Sequence, residues 1–257
     1  MSLLNPRDLI DDDEAFLPAI ESAWAKIVGF DAVFPNSDLT GHSRRVARSA
    51  MAIARQVGFS QRDVFELGAA CLMHDLGKLD VGTSILNKPG ILTDIERAEM
   101  RRHAHYGFLA LRGIPDLPAV FTLVARFHHE SFDGKGYEGL QGDAIPAAAR
   151  IVQIADVHDA LCSRRVYKPG EPEGKIICAM IRPSRSGLGR AQFDPNFLRL
   201  FAKLRLADPD FAATAPERAE IEAFVATEPG LDQVYAQRDV ATHELPDVAD
   251  AAPSLRP

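Results

Sequence analysis

The chain has 257 residues, of which 46% are hydrophobic, 25% charged and 7% aromatic, a balance typical of a globular protein. No stretch approaches the roughly 18 apolar residues of a membrane span, and the start lacks the features of a secretory signal. The net charge of −7 argues against a partner that is a nucleic-acid polymer, whereas small anionic ligands remain compatible with it. Three scattered cysteines cannot form a disulfide framework, so we expect a cytoplasmic protein.

Apolar residues recur at helical spacing from about residue 8 to residue 227, and the alternation typical of strands is hard to find. We therefore predict an all-α fold, a helical bundle. Residues 1–36 are predicted to form one helix and a connector. Ser37 is the predicted cap of a helix from Asp38 to Val57, and Gly58 ends that helix.

The later helices are predicted from their starting signals. Ser60 with Asp63, and Thr93 with Glu96, have the spacing of N-terminal capping boxes, and proline suits a first helical turn. The helix that Ser60 caps is predicted to end near Leu76-Gly77, and the helix that Thr93 caps is predicted to run to about Leu111. A further helix is predicted from Pro118 to Glu130. Two more are predicted to begin at Pro146 and at Asp194-Pro195.

Residues 37–227 are interpreted as one domain with two irregular loops. Residues 131–146, SFDGKGYEGLQGDAIP, are too rich in Gly and Asp for a helix and predict a functional surface loop. Residues 182–190 form a second, basic loop. Residues 228–257 are predicted to be a C-terminal extension that is partly disordered.

Side chains that can bind metals fall on the apolar faces of five predicted helices. An unpartnered carboxylate would be costly at the end of an apolar segment such as LGAACLMHDLG, which contains Asp75. The inward histidines are His42, His74, His103, His128 and His129, and the inward carboxylates are Asp75, Asp156 and, one turn before His42, Asp38.

Any one of these histidines alone is more often a hydrogen-bonded residue than a ligand. Together, without metal, they would need a buried polar network of unusual size, so we predict a metal centre in the core. Imidazole and carboxylate suit first-row metals, and a carboxylate can bridge the ion pairs, roughly 3.5–4 Å apart, that hydrolyse phosphate esters. No cysteine occupies these positions, which argues against a thiolate zinc site.

The motifs in chain order are His74-Asp75-Leu76-Gly77-Lys78, Ile85-Leu86-Asn87-Lys88-Pro89-Gly90, His103 with Gly107, His128-His129-Glu130, Asp133-Gly134-Lys135-Gly136-Tyr137, Ile145-Pro146, Ala149-Arg150-Ile151 and Asp156-Val157-His158-Asp159-Ala160-Leu161. Their order and spacing over roughly residues 38–204 resemble the HD-GYP branch of the HD-domain phosphohydrolases. The resemblance implies an all-helical domain with two or three divalent metals, iron or manganese above all. It also implies hydrolysis of cyclic di-GMP to linear pGpG, GMP or both by a metal-bridged hydroxide.

The resemblance also implies roles for individual residues. The first metal would take His42, His74, Asp75 and Asp156, and the second His103, His128 and His129, with Asp75 bridging. Asp38 stands where some members hold a third metal through glutamate. Asp75 and Lys78 are the candidate catalytic residues, and the candidate substrate contacts are Lys78, Tyr137, Arg165 and Lys168.

Three positions depart from the family pattern. The signature Gly-Tyr-Pro reads Gly136-Tyr137-Glu138, which adds a negative charge to a loop expected near an anionic substrate or a partner domain. His158 replaces an aromatic residue and Val166 a proline. We expect an effect on affinity or on the choice of partner.

Two other functions stay open at this stage. One is an HD-type phosphohydrolase of another cyclic dinucleotide or of a nucleotide. The other is a low-activity module that senses cyclic di-GMP or docks on a protein, which Glu138 favours. The expected partners are cyclic di-GMP and either a GGDEF-type diguanylate cyclase or a separate regulator. A homodimer also stays open.

Overall fold

A computed structural model describes residues 4–34, 37–163, 171–184 and 188–227. Within those ranges the fold consists of helices without strands, which confirms the all-α prediction. None of the described helices is both long and apolar enough to cross a membrane. The α-helices are α1 Leu17–Val33, α2 Leu39–Val57, α3 Gln61–Met73, α4 Thr83–Leu86, α5 Asp94–Arg101, α6 His103–Arg112, α7 Ala119–Phe127, α8 Ala147–Cys162, α9 Glu173–Ile181, α10 Pro195–Ala207 and α11 Ala215–Ala226. Short 3-10 helices cover Pro6–Asp8, Leu76–Asp80, Gly142–Ala144 and Arg190–Gln192.

Helix α2 lies at the centre of the fold and packs against α1, α3, α8 and α10. Its inward face combines large apolar residues with small ones, and Val46, Ala50 and Ile53 are completely buried. Ile20 of α1 belongs to the same hydrophobic core, together with residues of α3, α7 and α8. Small side chains allow helices to approach closely, so this face of α2 brings His42 near the ends of its neighbours.

The start of α2 differs from the prediction. The helix begins at Leu39, and its N-cap, Asp38, adopts a left-handed conformation (φ 50°) and makes no side-chain cap hydrogen bond. The Ser37 hydroxyl donates to the carboxylate of Asp31. That carboxylate, in α1, also accepts hydrogen bonds from the backbone N–H groups of Leu39 (3.1 Å) and Thr40 (2.6 Å). The cap therefore comes from the preceding helix, a tertiary contact that local spacing does not reveal.

Three predicted helices end earlier or break where a histidine stands. The helix predicted to end near Leu76-Gly77 stops at Met73, with His74 as its C-cap. The helix predicted from Thr93 breaks after Arg101, and His103 begins α6. Helix α7 ends at Phe127 rather than Glu130, with His128 as its C-cap. These breaks place three imidazoles at helix ends that face a common point.

The other starting signals are confirmed. Thr93 and Glu96 form a reciprocal capping box at α5, and the Ser60 side chain accepts from the Asp63 N–H at α3. The Asp194 carboxylate caps α10, and Pro146 immediately precedes α8. Sequence signals therefore locate helix starts well wherever the cap is local.

Gly77 allows the 3-10 helix Leu76–Asp80 to lie directly against α6. A Cβ atom at this position would overlap the backbone carbonyl of His103 and the backbone nitrogen of Gly107. Only glycine fits this close approach, which sets the distance between the His74-Asp75 pair and His103.

Candidate metal centre

Six side chains form two neighbouring groups in the core. The ligand atoms of His42, His74 and Asp75 lie within 4.8 Å of one another, and those of His103, His128 and His129 form an equally tight group. Helices α2 and α6 and the turns after α3 and α7 supply these residues. The structure thus brings together the five histidines singled out from the sequence.

Asp75 lies between the two groups, with one carboxylate oxygen toward each. Its Oδ2 is 3.3 Å from Nε2 of His74 and 3.8 Å from Nε2 of His42. Its Oδ1 is 3.4 Å from Nε2 of His103 and 3.9 Å from Nε2 of His128. This is the arrangement that a carboxylate needs in order to bridge two ions.

Asp156, on α8, also contacts both groups. Its Oδ1 is 3.0 Å from Nε2 of His42, and its Oδ2 is 3.9 Å from Nδ1 of His129. The residue is buried although it carries a carboxylate. The second carboxylate predicted from the sequence is therefore positioned at the edge of the cluster.

Four of the histidines are oriented by hydrogen bonds at Nδ1, which leave Nε2 directed at the cluster. The Nδ1 partners are Oδ2 of Asp159 for His42 (2.7 Å), the carbonyl of Cys71 for His74 (2.7 Å), the carbonyl of Met100 for His103 (2.7 Å) and the carbonyl of Val124 for His128 (2.9 Å). Metal-binding histidines commonly have this second interaction, because it sets the tautomer and the ring direction.

Burial controls the protonation of the second group, which consists of His103, His128 and His129. It lowers the pKa of His103 to about 4 and that of His129 to about 3, and it holds the pKa of His128 well below its ordinary value. These imidazoles are therefore neutral near pH 7, the form in which a nitrogen lone pair can bind a cation.

The first group consists of His42, His74 and Asp75, and it contains the ionised side chains of the cluster. Burial alone would raise the pKa of Asp75, but nearby His74 and Lys78 hold it well below its usual value. Burial also disfavours a charged His42, yet its hydrogen bonds to Asp156 and Asp159 outweigh burial and raise its pKa to about 9. The site therefore keeps ionised carboxylates in a buried position.

The residues present fit a metal. Nε2 of His74 and Oδ1 of Asp75 are buried and have no hydrogen-bond partner among the described residues. Buried polar atoms without partners are costly and rare, and both of these face the cluster. Neutral imidazoles with ionised carboxylates are the donor set of borderline first-row divalent cations.

A groove with a cavity volume of about 1120 Å³ opens onto this cluster. Lys78 lies in it and contacts Oδ2 of Asp75 through its ammonium group. Tyr137 also lines it, with its ring stacked on His129 at 4.6 Å and beneath the guanidinium of Arg101 at 4.8 Å. Arg165 and Lys168, the other predicted substrate contacts, and the departure at Val166 lie outside the described residues.

Asp38 belongs to neither ligand group. Its carboxylate binds Nη2 of Arg45 at 2.8 Å, and about half of its side chain, 52%, is exposed. Arg45 also donates to Asp159, which hydrogen-bonds His42. Asp38 is therefore linked to the cluster through Arg45 and Asp159. Sequence reasoning missed Arg45 and Asp159 as supports of His42, since nothing in their spacing shows that α2 and α8 meet there.

Glu138 adds a negative charge to the loop of residues 131–146, which we call the Gly-rich loop. This charge is neutralised within the protein. Its Oε1 accepts a 2.7 Å hydrogen bond from Nε of Arg126, which is only 3% exposed. Its backbone N–H donates to Oε1 of Glu130 at 2.7 Å. Glu138 is not among the residues that line the groove, so its carboxylate does not face a ligand there.

Comparison with known proteins agrees with this geometry. The HD domain model matches residues 33–187. The 3'3'-cGAMP-specific phosphodiesterase 3 of Vibrio cholerae is 40% identical over 169 residues, which cover 65% of this chain and 36% of that protein. The cyclic di-GMP phosphodiesterase response regulator RpfG of Xanthomonas campestris is 44% identical over 126 residues, 48% of this chain and 33% of that protein. A cyclic di-GMP phosphodiesterase of Thermotoga maritima is 40% identical over 165 residues, 63% of this chain and 44% of that protein.

The chain thus spans less than half the length of these curated relatives. HD-domain phosphohydrolases are metal-dependent, and the histidine and aspartate cluster described above could hold a metal. The family model covers more than half of the chain and includes every histidine of the cluster. The chain therefore belongs to the HD-domain family, as the resemblance of its motifs predicts.

Proposed function

We propose that this protein is a metal-dependent phosphodiesterase that hydrolyses cyclic di-GMP to linear pGpG, GMP or both. The observation that carries the proposal is the position of Asp75, whose two carboxylate oxygens face two separate groups of neutral or carboxylate-paired histidines. Paired metal sites of this kind serve the hydrolysis of phosphate esters. The names of the relatives support a cyclic dinucleotide as the substrate.

In this proposal, His42, His74, Asp75 and Asp156 would hold one divalent ion, and His103, His128 and His129, together with Asp75, would hold a second. Iron and manganese suit these nitrogen and oxygen donors. When bound, two such ions lower the pKa of a water molecule to supply the nucleophile and neutralise charge on the phosphate. Asp38 is left out of these two ligand sets, because its carboxylate is paired with Arg45.

Lys78 acts from the groove side of the cluster. Its ammonium group contacts Asp75 and its side chain is 20% exposed, so it is held at the boundary between the cluster and the groove. A cation at this position stabilises negative charge that develops on a phosphoryl oxygen. It also places a proton within reach of the departing 3′ oxygen.

Tyr137 forms a wall of the site beside the second group. Burial raises its pKa to about 12, so its hydroxyl stays protonated and can donate a hydrogen bond to a substrate oxygen. Arg165 and Lys168 complete the proposed substrate contacts.

Another cyclic dinucleotide is the second candidate substrate, because relatives at similar identity are named as cyclic di-GMP phosphodiesterases and as 3'3'-cGAMP-specific phosphodiesterases. A module without turnover has less support. The feature that favoured it, Glu138, is paired with Arg126 and does not alter the ligand groups.

The test combines metal analysis with turnover of cyclic di-GMP on one sample purified without chelator. We expect two metals per chain and a loss of both metal and turnover in Asp75→Ala. Asp210→Ala, an exposed carboxylate change on the loop after α10, is the control that should match the wild type. Metal without turnover would contradict the phosphodiesterase assignment, and no metal after supply of iron or manganese would contradict the metal centre.

A further inference from the structure

A second cavity, of about 310 Å³, adjoins the candidate metal centre at His129. His129 lines both this cavity and the groove, so the two spaces meet at the cluster. The Gly-rich loop supplies one wall of the cavity through Ser131 and Asp133, and Gln153 of α8 lies at another wall. We refer to this space as the Gln153 cavity.

Gln153 is 7% exposed, and its side chain lines this cavity. It stands three residues before Asp156 and four before Val157, which lines the same cavity, so it shares their face of α8. An amide at the wall of a cavity offers hydrogen-bond donors and an acceptor to a ligand inside it. Gln153 therefore gives this cavity a polar group to which a ligand can hydrogen-bond.

The charges around the Gln153 cavity cancel. The carboxylate of Asp133 accepts hydrogen bonds from the Ser131 hydroxyl at 2.6 Å and from the Lys135 ammonium at 2.7 Å. Whereas Lys78 lies in the groove beside the ligand groups, the carboxylate and the ammonium that line the described part of the Gln153 cavity neutralise each other. The chemistry of the cavity suits an uncharged part of a substrate that carries both donors and acceptors.

We propose that the Gln153 cavity holds one purine base of a cyclic dinucleotide and that the amide of Gln153 hydrogen-bonds an edge of that base. Guanine and adenine each present an adjacent donor and acceptor, and an amide pairs with both groups at once. The inference rests on the proposed function, since the phosphodiester must sit at the metal centre for its base to enter this cavity. It adds a base-recognition site that the metal and phosphate contacts do not supply.

The test compares Gln153→Met with the wild type on three substrates in the metal-loaded full chain. Methionine keeps the length of the side chain and its helix propensity but removes the amide. We expect kcat/KM for the cleaved cyclic dinucleotide, tried as cyclic di-GMP and as 3'3'-cGAMP, to fall about 5- to 20-fold. Turnover of bis(p-nitrophenyl) phosphate, a phosphodiester without a base, and metal content should stay at wild-type values.

The nitrophenyl ester distinguishes base recognition from a general disturbance of the site. Equal losses on the nitrophenyl ester and the cyclic dinucleotides, or no loss on either, would overturn the inference.

Gln153→Ala is the second variant, and Gln56→Ala, an exposed glutamine change on α2, is the control that should alter none of the rates. If the wild type loads metal and cleaves only the nitrophenyl ester, the cyclic dinucleotide proposal itself fails. A larger loss on one of the two cyclic dinucleotides identifies the base that occupies the cavity.

Discussion

His42 and Asp159 are joined by a 2.7 Å hydrogen bond between Nδ1 and Oδ2, and Nε of Arg45 donates to the other carboxylate oxygen at 2.6 Å. This pair links α2 to α8 and directs Nε2 of His42 toward Asp156 and Asp75. Carboxylate, imidazole and metal in this order form a common arrangement in metalloproteins. We therefore assign Asp159 a positioning role for His42.

The change Asp159→Asn tests that role. An amide can donate as well as accept, so it no longer holds the proton on Nδ1 of His42, the tautomer that leaves the lone pair of Nε2 to a metal. We expect metal affinity to fall roughly 10- to 100-fold, measured by competition with a chelator of known affinity.

Asp208→Asn is a suitable control, because Asp208 also pairs with an arginine, Arg205, at 2.8 Å but is remote from the cluster in the chain and in its contacts. Its metal affinity should equal that of the wild type. An unchanged affinity in Asp159→Asn would show that Arg45 and the packing of α8 orient His42 without the carboxylate.

The sequence identifies the cluster well, because its five histidines and two carboxylates fall on apolar helical faces or at local breaks in them. It does not identify the partners that orient them. Asp159 contacts Arg45 across 114 residues of chain, and this contact exists only because α8 packs on α2. Asp31 at the start of α2 is a similar case, since Ser37 has the better local spacing for a cap.

Gln153 illustrates a second limit of sequence reasoning. The run RIVQIADVHDAL predicts a buried helix, and one glutamine within it is compatible with a partially exposed position. Only the packing of the Gly-rich loop and of residues 188–192 beside α8 shows that a cavity adjoins this amide. The chemistry of a buried polar residue depends on its surroundings, which the sequence alone does not contain.

Glu138→Ala tests the buried ion pair in the Gly-rich loop. The guanidinium of Arg126 would lose its carboxylate partner while it stays buried between Phe108 and the loop. Because an unpaired buried charge is costly, we expect the free energy of unfolding to fall by about 2–4 kcal/mol, measured by urea denaturation. Glu222→Ala on the exposed face of α11 should change it little, and equal values for both variants would contradict a stabilising role of the pair.

Glu138→Pro restores the residue usual in the resembled family but should destabilise this chain further. Proline lacks the N–H that donates to Oε1 of Glu130 at 2.7 Å, so two interactions are lost instead of one. We expect a lower urea midpoint than for Glu138→Ala. A midpoint at or above that of the wild type would show that the rigidity of proline outweighs both interactions.

The capping box of α5 predicts a specific pH dependence. The hydrogen bond from Lys88, with that from the Thr93 N–H, lowers the pKa of Glu96 from its ordinary 4.5 to about 2. Since the folded pKa is depressed, this carboxylate stabilises the fold above about pH 4.5, and that contribution is lost as the pH falls toward 2. Carboxyl chemical shifts should show Glu96 titrating near pH 2 in the wild type and closer to 4.5 in Lys88→Met. Lys175→Met, which breaks a pair with Glu171, serves as the control, and a wild-type midpoint near 4.5 would contradict the contact.

Metal removal should destabilise the fold, because the ion would satisfy two buried atoms that have no hydrogen-bond partner among the described residues, Nε2 of His74 and Oδ1 of Asp75. A ligand that binds only the folded state adds about 2.7 kcal/mol at 100 times its dissociation constant. We expect chelated protein to unfold at a lower temperature and Mn²⁺ to restore stability in a concentration-dependent manner. Mg²⁺ should be less effective, since it prefers oxygen ligands.

Asp75→Asn should lose most of the response to Mn²⁺. The same unfolding temperature with and without Mn²⁺ in the wild type would show that the cluster is a metal-free polar network.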